Sequence, residues 1–419
     1  LTPSAIPISS HSGSPVRSTT SQEIERLLVI AAVFLSPMTY LRTDIVFFTL
    51  SDLVASAAFV VMIANRRVPL RPFADMTSFW LFSVLLLCSG LIAGSLLNGD
   101  PLTGAVGVIQ YVFSFVCIPL LLLGRPARET MFLCKVMAFS LVFVMLHGVL
   151  YSVFSPDDAR FFSRNGRLTG LIERENGVGL LAGVGIVYVM WLYFISQISG
   201  IVFLALVAPV AYGLLLSASN SGFIVAVVGI FGISFFHGSA KHILAFIGIG
   251  ALALAALFLF GQYFLPEVFQ ERVYGALTTG DSSEAGTFDG RLLLIQEAIY
   301  LIDRSIWLGV GVDQHRLISQ YGAPVHNTYL LLFSEGGLVS LLGFVCLLLT
   351  LAFVGWRSFS NPDTRWSGVL MFTILLMFAV ALNGVTHVYG RFLSVPLLLP
   401  AAICLSGYRV RRHQRREHR

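Results

Sequence analysis

The residues with chemistry to offer are gathered in two polar stretches, 155–177 and 265–326, set between long apolar runs. The first carries Asp157-Asp158, Arg160, Arg164, Arg167, Arg174 and Glu173, Glu175. Arginine grips phosphate oxygens with a fixed fork of donors and stays charged beside lipid, so a set of arginines suits a diphosphate. Arg167 stands between Gly166 and Gly170, where the backbone can come close to a ligand, and is assigned to such a site. Arg160, Arg164 and Arg174 have another use: pairing with Asp157, Asp158, Glu173 and Glu175, or touching lipid headgroups.

In the second stretch, Asp289-Gly290-Arg291 precedes apolar residues at 292, 295, 299 and 302. That spacing predicts a helix with Asp289 as its N-cap and Arg291 in its first turn. A cation there opposes the helix dipole unless an anion is held at the same end by backbone N–H groups and the guanidinium together. The competing reading is a local Arg291–Asp289 ion pair, worth little if exposed. His326 follows Pro324 and opens the next apolar run. A helix amino terminus disfavours imidazolium, which leaves a ring able to take a proton from a hydroxyl as a general base. Its alternative is a polar anchor at the membrane surface, and His315 and the remaining histidines have no comparable setting. There is no His-Glu-x-x-His and no cysteine pair, and Asp157-Asp158 is only a weak cation candidate, so neither a metal nor another cofactor is expected.

The elements that position these groups are membrane helices. The chain is 56% hydrophobic and 12% charged, with 34 Phe in 419 residues and a mean hydropathy of +0.82, more apolar surface than a soluble core can hide. Runs long enough to cross the hydrocarbon layer predict an all-α, polytopic protein with about twelve spans, near 27–41, 44–64, 77–98, 102–124, 131–154, 178–195, 201–218, 222–237, 243–264, 328–355, 367–388 and 392–408. Residues 1–26, rich in Ser, Thr and Pro, read as a disordered cytoplasmic tail; 27–408 as one membrane domain; 409–419 as a basic cytoplasmic tail. Cys88, Cys117, Cys134, Cys346 and Cys404 all fall in or beside apolar runs, which suggests neither disulfides nor a thiolate site.

Arg66, Arg67, Arg71, Arg125, Arg128, Lys241, Arg357, Arg365 and the terminal basic run fall on one side of this scheme, which makes that side, with both termini, cytoplasmic. Arg42 and Arg391 are exceptions, and the two polar stretches place eight arginines and no lysine on the translocated side. The net charge of +5 comes partly from the terminal tail, which favours anionic lipid; no nucleic-acid partner is expected. Asp52, Asn220, Glu335 and Asn383 lie within the apolar runs. Glu335, nine residues beyond His326, would sit roughly 13 Å deeper and take a structural pairing role. Asp52 is read as lying near a helix end.

Several of these residues occur in a familiar order: Arg167-Leu-Thr-Gly170, Glu175-Asn176-Gly177, Leu216-Ser-Ala-Ser219-Asn220-Ser221-Gly222, Gly290-Arg291, His326-Asn327-Thr-Tyr329-Leu, then Glu335-Gly336-Gly337-Leu338. Over residues 160–355 this resembles the O-antigen ligase and Wzy-type polysaccharide polymerase superfamily of bacterial inner-membrane glycosyltransferases. The resemblance implies a GT-C-like helical fold and metal-free, inverting transfer of a glycan from undecaprenyl diphosphate to an acceptor hydroxyl at the periplasmic face. Arg167 and Arg291 match the arginines placed near the diphosphate and His326 the acceptor-activating histidine. Arg174, Asn176, Asn220, Asn327 and Tyr329 are taken as substrate contacts. Two departures stand out: Ser219-Asn220 replaces a common Ser-Arg, and Ser340 stands where ligases usually have Gly, Thr or Tyr.

The expected partners are therefore a lipid-linked glycan donor, membrane lipids, and either lipid A–core, for a ligase, or a second lipid-linked glycan, for a polymerase. Nine residues between Asn327 and Gly337 favour the ligase. Competing readings are a flippase or transporter, whose binding residues would lie near the bilayer midplane on repeated halves, and a silent membrane scaffold.

Overall fold

The computed structural model describes residues 20–42, 48–155, 159–237, 265–270 and 288–417, with isolated positions 244, 248 and 259–261. Its principal helices are α1 Thr20–Leu35, α2 Leu50–Ala64, α3 Thr77–Asn98, α4 Pro101–Leu122, α5 Ala127–Phe154, α6 Glu175–Phe194, α7 Gly200–Ser217, α8 Asn220–His237, α9 Phe288–Arg304, α10 Thr328–Phe359, α11 Arg365–Ala381 and α12 Arg391–Glu417. Among the described residues, strand-like pairing is confined to isolated bridges, Arg42 with Thr49 and Phe162 with Leu168. Among the described residues six helices, α3 to α7 and α10, are long and apolar enough to cross a membrane, and α2, α8, α11 and the apolar part of α12 are shorter. The chain is a multi-pass helical membrane protein. Every expected span falls on one of these helices except 243–264, most of which lies outside the described residues, as do Asp157, Asp158 and Arg272.

Several boundaries differ from expectation. Helix α1 starts at Thr20, inside the stretch assigned to the tail, because its polar first turns find partners: Ser21 Oγ donates to Asn65 Oδ1 at 2.7 Å, and buried Glu25 pairs with Arg125 at 3.2 Å and Arg67 at 3.3 Å. Helix α9 already includes Phe288 and Asp289, so Asp289 lies inside the helix instead of at the position just before it. Helix α11 stops at Ala381, ahead of Asn383-Gly384, so residues 382–390 form a connection where a largely apolar run suggested membrane helix.

Prolines inside helices leave carbonyls without their N–H partner, and the bundle uses these groups for packing. Pro119 follows a π-turn, Phe113–Cys117, and the Phe115 carbonyl it cannot reach accepts from buried Trp80 Nε1 at 2.7 Å. Pro400 likewise frees the Pro396 carbonyl, which accepts from Tyr188 Oη at 2.8 Å.

Helices α3 and α10 lie in close backbone contact. A methyl at Gly343 would strike the Leu87 backbone and one at Gly90 the Gly336 carbonyl, and Ser340 Oγ donates to the Leu87 carbonyl at 2.8 Å. Ser340 thus serves the helix contact. Helix α10 breaks at Gly337, whose φ of 68° and ψ of −173° are non-helical. The segment after α9 fills the break: Val310 N donates to Ser334 O at 2.8 Å, Gly311 N to Glu335 O at 2.9 Å, and Leu338 N to Ile306 O at 2.7 Å. Buried Glu335 accepts from the backbone N–H groups of Asp313 and His315, so it clamps this segment.

Candidate active site

The end of the bundle carrying His326 holds a cavity of about 280 Å³. Its wall comes from four places in the chain: Thr39 and Arg42 after α1; Ile172 to Gly177 and Leu180 at the start of α6; His326 ahead of α10; and Gly384 to His387, Tyr389, Gly390 and Phe392 around the start of α12. The charged cluster of Glu25, Arg67, Arg125 and Glu129 lies at the opposite end. Small-molecule pockets begin at roughly 300 Å³. The cavity therefore suits the reacting groups of a substrate, and a long chain would have to extend beyond it.

Arg174 is the cation most available to a ligand. It is exposed, takes the N-cap position of α6 with extended backbone, and among the described residues has no carboxylate partner. The pairing expected for it is not formed: Glu173 binds Arg42 Nε at 2.7 Å, and Glu175 faces Arg167 at 3.9 Å. Glu173 reaches Arg42 from a left-handed backbone conformation, φ 63°, uncommon for a residue with a side chain and concentrated at functional sites. Arg174 thus stands at the amino end of α6, where free N–H groups and the helix dipole also favour an anion.

Arg167 is placed differently from expectation. It is 7% exposed; Nε donates to the Ser217 carbonyl at 2.8 Å and Nη2 to Asn176 Oδ1 at 3.0 Å. Ser217 is the last residue of α7, whose C-cap Ala218 is left-handed, so Arg167 satisfies an orphan carbonyl at the negative end of that helix. Gly166 and Gly170, both at positive φ, make the turns that bury the guanidinium instead of opening the backbone to a ligand. Asn176 lines the cavity and also accepts from Ser219 Oγ at 3.1 Å, while Ser219 accepts from Gly222 N at 3.1 Å in the first turn of α8. The Ser219-Asn220 motif is therefore a knot between α6, α7 and α8, one layer behind the cavity, and Asn220 opens α8.

His326 stands on the wall with Arg174. Burial, then the positive charges of Arg291 and Arg174, hold its imidazole below the ordinary value of 6.5. Arg291, in the first described turn of α9, is thus close enough for its charge to act on His326, although it is not among the described wall residues. Asn327 caps α10, accepting from Leu330 N at 3.1 Å, and donates to Asn383 Oδ1 at 3.2 Å. Tyr329 Oη donates to the Ala379 carbonyl at 3.2 Å. These two fix α10 against α11 and, like Asn220, are not among the described wall residues.

The wall residues that sequence reasoning missed include Thr39, Arg42, Thr386, His387 and Tyr389. The signals available were Arg42 and Arg391 as basic exceptions on the translocated side, and Asn383-Gly384 as a break in an apolar run. Arg391 sits directly behind the wall, 2% exposed. Its guanidinium pairs with buried Asp52, donates to Gln110 Oε1 at 2.8 Å and Ser114 Oγ at 2.9 Å, and lies over the Phe113 ring. Asp52 also closes a capping box with Thr49 at the start of α2. One buried ion pair thus ties α2, α4 and α12 together beneath Tyr389, Gly390 and Phe392.

Comparison with curated proteins gives no match. A family model described as O-antigen ligase matches residues 205–345, which run from α7 through His326 and the Gly337 break into α10. Over that segment the chain is similar to the O-antigen ligase and Wzy-type polymerase superfamily.

Proposed function

We propose that the protein is a glycosyltransferase of the inner membrane that moves a glycan from undecaprenyl diphosphate to an acceptor hydroxyl, with its cavity facing the periplasm. The observation that carries this reading is Arg174, free of any described carboxylate at a helix amino terminus, on the same wall as the imidazole of His326. The acceptor oxygen attacks the anomeric carbon as the bond from that carbon to the diphosphate oxygen breaks, inverting the centre. His326 takes the acceptor proton. Arg174, with Arg291 nearby, neutralises the charge that grows on the departing diphosphate, an electrostatic stabilisation concentrated in the transition state. Arg167 supports Asn176 and the α6 amino end from behind. The spacing from His326 to Gly337 favours lipid A–core as acceptor, hence a ligase; a second lipid-linked glycan would make it a polymerase. A transporter would bind its cargo near the bilayer midplane, whereas this cavity opens at one end of the bundle.

The test is transfer of undecaprenyl-diphosphate-linked glycan by the purified full chain, with lipid A–core or a second lipid-linked glycan as acceptor and a chelator present. His326→Ala is expected to lower the rate by about two to four orders of magnitude, the usual contribution of a general base. Unchanged turnover in that variant removes the proposed base. Movement of donor across the membrane without glycosyl transfer selects the transporter.

A further inference from the structure

His387 is a second imidazole on the cavity wall, and the chemistry above gives it no task. It lies in the 382–390 connection between α11 and α12. Among the described residues its ring nitrogens have no hydrogen-bond partner, and its one ring contact is with Tyr389, at 5.2 Å between centroids. Burial first, then the positive charge of Arg174, push its pKa down to about 4, with His326 acting in the same direction and Asp313 against it. His387 is therefore neutral at neutral pH, presenting one N–H donor and one nitrogen acceptor. A neutral ring offers a phosphate no charge, but it matches a sugar hydroxyl, which both gives and takes a hydrogen bond. Arg174 and His326 are both near enough for their charges to act on His387. If Arg174 holds the diphosphate, the group next along the donor is its first sugar.

We propose that His387 contacts the first sugar of the lipid-linked donor, hydrogen-bonding a ring hydroxyl while Arg174 holds the diphosphate. This rests on the glycosyltransferase reading and assigns its sugar subsite. His387 is then a substrate-contacting residue that selects the sugar, with no part in proton removal from the acceptor.

The experiment compares two probes on the full chain in detergent: undecaprenyl diphosphate, and the same lipid carrying a single N-acetylglucosamine. His387→Ala is expected to weaken binding of the sugar-bearing lipid by roughly 5- to 30-fold, the range for losing one buried hydrogen bond, and to leave the bare diphosphate lipid unchanged. Arg174→Ala should weaken both. His387→Gln, which keeps a donor and an acceptor, should recover part of the loss and covers the case in which His387→Ala fails to fold. In the transfer reaction His387→Ala should raise KM for donor more than it lowers kcat and leave the acid limb of the pH profile in place. Equal weakening of both probes, no weakening of either, or loss of the acid limb overturns the sugar contact. Failure of the wild-type protein to bind either lipid overturns the glycosyltransferase reading itself.

Discussion

Replacing Gly337 by alanine tests how the broken helix α10 supports the site. The backbone at Gly337, φ 68° and ψ −173°, lies in a region that residues with a Cβ essentially never occupy, and holding alanine there costs on the order of 1–3 kcal/mol. The added methyl would also overlap the Trp307 carbonyl. That contact is with backbone, so the 306–311 segment has to retreat. Retreat endangers the three backbone hydrogen bonds that Val310, Gly311 and Leu338 make across the break, each with a net value of about 0.5–1.5 kcal/mol. Together these terms amount to roughly 3–7 kcal/mol if all three bonds are lost. His326 and the Asn327 cap stand at the head of the same helix, and a displacement of about 1 Å at a reacting group can cost on the order of 100-fold in rate. The measurement is thermal unfolding in detergent beside transfer rate at matched protein level. Gly290→Ala serves as control: no atom lies within 4 Å of its would-be methyl, and in an exposed helical turn alanine should stabilise by about 0.5–1 kcal/mol. Wild-type unfolding temperature and rate in Gly337→Ala would refute the reasoning.

Other substitutions separate cavity from scaffold. Arg174→Ala removes a positive charge that disfavours the protonated His326, so the imidazole rises toward 6.5 and the acid limb of the transfer rate should move to higher pH; a shift to lower pH contradicts the assignment. Arg391→Ala leaves Asp52 buried without its cation and should destabilise by about 3–5 kcal/mol, while the double change Asp52→Leu with Arg391→Met should recover much of it; thermal unfolding of both reads this out. Arg167→Ala is expected to lower the unfolding temperature while leaving bare undecaprenyl diphosphate binding within a few-fold of wild type, because the guanidinium is spent on Ser217 and Asn176; a loss of affinity without a loss of stability would return Arg167 to the diphosphate. Cysteines introduced at positions 67 and 291 should react with impermeant reagent from opposite sides of the membrane, and labelling from one side would break the topology.

The helices were legible where an unbroken apolar run coincides with a buried face, as in α3, expected at 77–98 and found there. Hydropathy failed where polar groups are buried in pairs. Glu25 delayed the expected start of α1 because the sequence does not announce that Arg67 and Arg125 will reach it. Choosing among the arginines near α6 was beyond pattern reading for a related reason. Glycines beside Arg167 could signal either close approach to a ligand or a turn that buries the side chain, and only the position of the α7 carbonyls decides. His387 was hidden by its apolar neighbours, which made a connection look like the end of a span.

The cavity wall has a consequence for how chains that share the recognised segment can differ from one another. Recognition of the family rests on residues 205–345, yet of the described wall residues only His326 lies in that range. The rest come from the turn after α1, the start of α6 and the connection before α12. The segment that the family model matches and the residues that line the cavity are thus largely different stretches of chain. On the glycosyltransferase reading proposed above, grafting 384–392 together with 172–177 from another chain that carries the recognised segment is the exchange expected to carry substrate preference with it.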